Sequence, residues 1–234
     1  MGKSYSKAAA ATFGLNKCEP IHRWYSYLEG YSSCLIDDIV MEIGIENIQV
    51  IFDPFCGTGT TSLVASSHGI KSYYCETNPF MQQVIEAKIN SVKRLRDSGV
   101  RSKYLKAFLK EIENYSFQLC FETPTWDGFE KFFDAEVLAQ LQDLKQKVDS
   151  ISDEDTKSIA LILLASVTVR ASKMIRQGDL QRTGKRQMLQ YRYHKHTVLR
   201  GGQGIRRQLF HRKCDNHSHE SRLVYGRFLN LSEP

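Results

Sequence analysis

The chain has no apolar run long enough to cross a bilayer, no Cys-x-x-Cys pair and no two adjacent prolines. Its longest apolar stretch, residues 159–169 (IALILLASVTV), has 11 residues and is interrupted by Ser166 and Thr168, against the roughly 20 that a membrane span requires. It reads as a buried core segment, and no membrane is expected as a partner. The opening MGKSYSKAAAATFG lacks the apolar h-region of a signal peptide, so a cytoplasmic location is expected. The same stretch fits Met-Gly-x-x-x-Ser, a myristoylation pattern that matters only in a host with that transferase. Six cysteines (Cys18, Cys34, Cys56, Cys75, Cys120 and Cys214) are scattered along the chain. That scatter suggests neither a zinc ribbon nor a disulfide framework, and leaves reduced, mostly buried thiols as the expectation.

Net charge is also missing from most of the molecule. The formal charge of +6 would ordinarily point to nucleic acid. Residues 191–234, however, hold nine Lys or Arg and three Asp or Glu, so 32 − 9 basic and 26 − 3 acidic residues leave 23 of each sign over residues 1–190. The basic character belongs to the tail. What remains, at 234 residues with 41% hydrophobic and 25% charged, suits one substantial domain or a domain with an appendage.

Periodicity then supplies the elements. Ser32 and Ser33 precede CLIDDIVMEIGI, a helical pattern that Gly44 can end. IQVIFD reads as a buried strand. TTSLVASSHG reads as a helix opened by the Thr60 and Thr61 hydroxyls and closed by Gly69, and IKSYYCE as a second strand. Asn78 and Pro79 form a cap and first-position pair ahead of Met81, Val84, Ile85 and Ile89 on one helical face. The order strand, turn, helix, strand, helix is a βαβ unit and predicts an α/β sheet. Farther on, Val137, Leu138, Leu141, Leu144, Val148 and Ile151 recur at helical spacing. In SDEDTKS, Asp155 stands three residues after Ser152 as in a capping box, ahead of the 159–169 segment.

The most informative stretch is residues 51–80, IFDPFCGTGTTSLVASSHGIKSYYCETNPF. A strand running into a glycine turn and a helix directs backbone N–H groups and a positive helix end to one place, and glycine lets a ligand approach the chain closely. For a dinucleotide the third glycine of Gly-x-Gly-x-x-Gly would fall at Ser62, so that fingerprint is incomplete. Asp53, beside the loop, would repel a pyrophosphate but suits a ligand with positive charge there, such as S-adenosylmethionine. Glu76, 19 residues after Gly57, ends the second strand, where a carboxylate can accept from both ribose hydroxyls of an adenosine.

DPFCGTGTT followed by ETNPF closely resembles the cofactor signature of the amino-group DNA methyltransferases, which make N6-methyladenine or N4-methylcytosine. HRWYSYLEGYSSCLIDDIV is similar to the segment that these enzymes place before the signature and pack over the cofactor. ASKMIRQGDLQRT is similar to a Ser- and Arg-rich stretch preceding the catalytic loop of some members. The resemblance covers residues 20–183 and is specific over 51–80. It implies an α/β, Rossmann-like S-adenosylmethionine-dependent methyltransferase fold, with S-adenosylmethionine as cofactor, DNA as substrate and, in a restriction-modification pair, a cognate restriction endonuclease as partner. It further implies that the loop from Asp53 through Pro54, Phe55, Gly57, Gly59 and Thr60 wraps the methionine part, with Phe55 near the transferred methyl. Glu76 would bind the ribose, Asn78 to Phe80 would border the adenine, and Tyr31 would serve as a lid or pack in the core. No metal is required.

The family's second motif, [Asn/Asp/Ser]-Pro-Pro-[aromatic], orients the target amine and stacks the flipped base. None of Pro20, Pro54, Pro79, Pro124 and Pro234 adjoins another, so the motif is absent and the catalytic residues are unknown. The expected organisation is a flexible N-terminus (1–20), a methyltransferase cofactor-binding domain with a helical segment (21–185), and a basic, His-rich tail (186–234). The fold is expected to be incomplete at its C-terminal end. Three readings of the tail stand side by side: a basic nucleic-acid arm, a metal cluster of His211, Cys214, His217 and His219, or the product of a shifted reading frame.

Overall fold

The computed structural model describes residues 5–113, 115–117, 128–177 and 179–182. The tail from residue 186 and the four residues proposed there as a metal cluster lie outside them. The described residues fall into two compact units that divide between Arg101 and Ser102, within what the sequence suggests is a single domain over 21–185.

The first unit opens with α1 (Lys7–Ala10), which the Ser6 hydroxyl caps through Ala9 N. Ala10, Phe13 and Asn16 are buried and contribute to the packing of this unit. After two short 3-10 turns comes α2 (Ser33–Ile43), ended by Gly44 at φ 87°, as its sequence suggests. Ser32 occupies the N-cap position without capping: its hydroxyl is turned to the Thr12 carbonyl instead. Strand β1 (Val50–Asp53), helix α3 (Thr60–Ser67) and strand β2 (Lys71–Tyr74) follow in the expected order. The strands are parallel, with Val50 opposite Lys71 and Asp53 opposite Tyr74.

This sheet is covered on one face. Ile51 packs on a small core of Val40, Ala65 and Ile70, with Ile36 and Ile48 beside it. Val50, Phe52 and Tyr73 point the other way and are exposed, Phe52 at 60%. Among the described residues the parallel sheet has two strands.

From Asn78 a helical stretch runs through α4 (Pro79–Ile85), a π turn (Glu86–Ser91) and α5 (Val92–Asp97). Met81, Val84 and Ile85 are buried, the face their spacing predicts.

The second unit contains α6 (Ser102–Glu113), α7 (Ala135–Asp149), α8 (Glu154–Ala171) and a hairpin of β3 (Met174–Gln177) with β4 (Asp179–Arg182). Helices α7 and α8 pack together, burying Val137, Leu141, Leu144 and Val148 with Ile159, Leu163 and Val167. The cap of α8 sits one residue later than expected: Asp153 accepts from Thr156 N at 2.9 Å. Lys173 pairs with Asp134 at 3.1 Å, and Lys147 with Glu111. Among the described residues no helix is long and apolar enough to cross a membrane.

Candidate functional site

The parallel pairing of β1 and β2 brings their C-terminal ends together, and the hydrogen bonding continues past both strands. Cys75 N donates to Asp53 O at 3.0 Å and Cys56 N to Cys75 O at 3.2 Å. The loop after β1 is thereby fastened to the end of β2, immediately before Glu76. Asp53 is 9% exposed. Its Oδ1 accepts from Phe55 N at 3.0 Å and its Oδ2 from the Tyr31 hydroxyl at 2.8 Å. The carboxylate thus folds its own loop back, while each oxygen retains lone-pair capacity for a further donor.

Gly57 and Gly59 have φ of 55° and 80°, a region that disfavours side chains. Space is short as well. A Cβ on Gly57 would stand 3.0 Å from Tyr27 Cε1, and one on Gly59 would stand 3.3 Å from Ile85 Cγ1. Gly59 also occupies the N-cap of α3 without a side-chain bond, so the two threonines are not the caps they resemble. Thr60 Oγ1 accepts from Asn16 Nδ2 at 3.5 Å, and Thr61 Oγ1 meets the Tyr31 hydroxyl. Pro54 is exposed, and Phe55 beside it is 88% exposed.

Glu76 is half-buried. Its Oε1 accepts from Asn78 N at 2.8 Å, and its carbonyl accepts from Gln82 Nε2 at 2.6 Å. Asn78 Oδ1 in turn accepts from Phe80 N at 2.9 Å and Met81 N at 3.4 Å, the cap that its sequence context predicts. The structure therefore brings Asp53, the glycine loop, Glu76 and Asn78 to the C-terminal edge of the sheet, where open α/β sheets bind ligands.

The upstream segment closes on this edge at three points. The Tyr25 and Phe80 rings meet edge to face, 5.2 Å between centroids. Tyr27 lies against Gly57, and Tyr31 bonds Asp53 and Thr61. Burial pushes the Tyr31 phenol above its ordinary range, with Thr61 acting against that shift and Asp53 adding to it. Tyr31 therefore stays a proton donor across neutral pH. Burial, reinforced by Asp53, also raises the Cys56 thiol to about 12, which leaves it without thiolate character at neutral pH.

Sequence reasoning named Tyr31 in this segment but not Tyr25 or Tyr27, whose roles depend on ring directions that aromatic content does not specify. It also missed Asn16. This fully buried side chain donates to Tyr31 O at 3.0 Å and accepts from Ser33 N at 2.7 Å, and nothing in FGLNK announces it. Cys34, Cys56 and Cys75 are free, as expected. Among the described residues no group of His, Cys, Asp or Glu forms a metal cluster.

Comparison with known proteins supplies relatives for part of the chain. Type II methyltransferase M.BsoBI of Geobacillus stearothermophilus is 39% identical over 77 residues, 33% of this chain and 15% of that protein. Type II methyltransferase M.AvaI of Nostoc sp. is 34% identical over 77 residues, 33% of this chain and 16% of the relative. Type II methyltransferase M.MvaI of Kocuria varians is 26% identical over 140 residues, 57% of this chain and 30% of the relative. The chain thus spans less than a third of the length of each of these curated relatives. They bear out the resemblance read from the signature. No protein-family model matches, and no solved structure matches.

Proposed function

We propose that this chain carries the S-adenosylmethionine site of an amino-group DNA methyltransferase, built on a Rossmann-like fold. The observation that carries the reading is the joint placement of Asp53, the positive-φ glycine loop and Glu76 at the ends of two neighbouring parallel strands. The donor set suits this cofactor. Asp53 offers a carboxylate to positive charge where a pyrophosphate would be repelled. Glu76 Oε2 has no hydrogen-bond partner among the described residues and can accept from a ribose hydroxyl.

In this reading Asp53 and the loop through Pro54, Gly57, Gly59 and Thr60 enclose the methionine part, Glu76 orients the ribose, and Asn78 to Phe80 border the adenine. Tyr25 fixes the Phe80 ring. Tyr31, tied to Asp53, acts as a strap across the loop. When bound, S-adenosylmethionine supplies an electrophilic methyl group for an exocyclic amine of adenine (N6) or cytosine (N4). The exposed Phe55 ring lies next to the loop, available to a target base.

The type II relatives support a methyltransferase acting on DNA within a restriction-modification pair, with a cognate endonuclease as its biological counterpart. Without a Pro-Pro motif to hold the target amine, turnover by this chain alone is absent or very low. A second reading, non-catalytic binding of S-adenosylmethionine and nucleic acid, draws on that missing motif and on the net +6 of residues 191–234. Calorimetry with S-adenosylmethionine tests what both readings share, and loss of saturable binding in Asp53→Ala is the expected result. DNA binding that weakens with salt and disappears when residues 186–234 are deleted, without methyl transfer, would favour the second.

A further inference from the structure

Lys88 is 1% exposed, among the most expensive side chains to place in a protein interior. It lies in the π turn Glu86–Ser91, a helix irregularity often found at functional sites. Its ammonium donates to His22 O at 3.2 Å and to Thr58 O at 3.4 Å. Among the described residues no carboxylate pairs with it. Its two acceptors are main-chain carbonyls, 66 and 30 residues away along the chain.

Both carbonyls belong to segments that need holding. Thr58 stands between Gly57 and Gly59, the two positive-φ residues of the loop, so its peptide orientation is poorly determined by local sterics. His22 follows Ile21, whose φ of 64° and ψ of −50°, with His22 N on Pro20 O at 2.6 Å, form a γ-turn of the strained, positive-φ kind. For a β-branched residue that conformation persists only when its surroundings over-determine it. Ile21 is fully buried, and Lys88 grips the next carbonyl.

We infer that Lys88 is a positioning residue for the proposed cofactor site, locking the glycine loop to the upstream aromatic segment through the Thr58 and His22 carbonyls. The inference rests on the reading of that loop as an S-adenosylmethionine site. Lys88 itself is too deeply buried to touch the ligand. It fixes the peptide plane between Gly57 and Gly59, and it holds the segment whose Tyr25, Tyr27 and Tyr31 close on the site.

Burial lowers the Lys88 ammonium to about 7. The titratable side chains whose charges act on it are His22, which burial keeps neutral, and Cys56, which burial keeps protonated. Near neutrality the clamp therefore switches with Lys88 alone, and loss of its proton replaces charge-assisted bonds by weaker neutral ones.

The test is calorimetry of S-adenosylmethionine binding by the full chain at about pH 6 and about pH 8.5, in wild type and Lys88→Met, with thermal unfolding of both. Lys88→Met keeps the length of the side chain and removes its charge and donors. The expected result is about tenfold weaker binding at the lower pH, from two charge-assisted hydrogen bonds lost, in a variant that unfolds no earlier than wild type. Wild-type affinity should fall as pH rises across this range more steeply than that of Lys88→Met. Whatever slope remains in the variant comes from the ligand's own α-amino group, which titrates near 8.

Equal affinity and equal pH slope in the two proteins would overturn the inference and leave the cofactor reading standing. If Lys88→Met fails to fold, the wild-type profile decides: a fall that begins with a midpoint near 7 supports the inference, and a profile that is flat or follows only the ligand's amino group near 8 overturns it. Wild type that binds at neither pH overturns both.

Discussion

The Tyr31 hydroxyl donates to Asp53 Oδ2 at 2.8 Å, joining a segment 22 residues upstream to the acid that ends β1. Asp53 is thus held by its own loop on one side and by an aromatic strap on the other. Tyr31→Phe keeps the ring and removes the donor. We expect about 1 kcal/mol of stability lost and several-fold weaker S-adenosylmethionine binding, read by thermal unfolding and calorimetry. Unchanged affinity would mean that the strap does not orient the carboxylate.

The two kinds of glycine constraint separate in a pair of variants. Gly57 combines φ 55° with a Tyr27 ring that leaves a Cβ 3.0 Å of space, whereas Gly69 has φ 71° and nothing within 4 Å. Gly69→Ala should cost only the left-handed penalty of about 1–2 kcal/mol and leave S-adenosylmethionine affinity unchanged. Gly57→Ala should cost more and reduce affinity at least tenfold. Equal effects of the two variants on affinity would dissociate the loop from the ligand.

Stability should rise with pH between about 7 and 9, and the sign follows from burial. The folded-state pKa of Lys88 is lowered from 10.5 to about 7, so in this window the unfolded chain binds a proton that the folded chain does not, and raising pH favours folding. Above 9 the raised thiols of Cys34 and Cys56 oppose the trend, because the folded state then holds protons that the unfolded state has released. Denaturant midpoints against pH should climb through this window in wild type and lose most of that climb in Lys88→Met. S-adenosylmethionine affinity should fall over the same range more steeply in wild type than in Lys88→Met, a difference between the two proteins that a purely structural lysine would not produce.

His68 Nε2 lies 2.8 Å from Asp37 Oδ1, tying the C-terminal end of α3 to α2. Both side chains are partly exposed, so Asp37→Asn should lower stability by no more than about 1 kcal/mol. The pair is remote from the loop, and cofactor affinity should be unchanged. An altered affinity would show that the helix pair communicates with the site.

The local pattern was legible wherever one residue type has one structural use. Asp53 ends β1 and Glu76 lies just past β2, Gly57 and Gly59 take positive φ in the turn before α3, and Asn78 caps α4 ahead of Pro79, while the β1–α3–β2 order follows from short runs bounded by turn residues. Thr60 and Thr61 misled because a hydroxyl at a helix start can cap or can be recruited elsewhere; here Asn16 and Tyr31 recruit both. Asn16 and Lys88 were illegible for a related reason. Their partners are main-chain groups distant in sequence, and a buried polar side chain carries no periodic signature. The π turn is equally silent, since Met81, Val84, Ile85 and Ile89 read as one ordinary helical face running through it.

The proposed function stands or falls with the S-adenosylmethionine site at the ends of β1 and β2. The most direct measurement is calorimetric titration of the purified, folded chain with S-adenosylmethionine, beside Asp53→Ala and Glu76→Ala. One saturable site is expected in wild type, at least about tenfold weaker in each variant. A folded wild-type chain that takes up no S-adenosylmethionine, or variants that bind as wild type does, would contradict it.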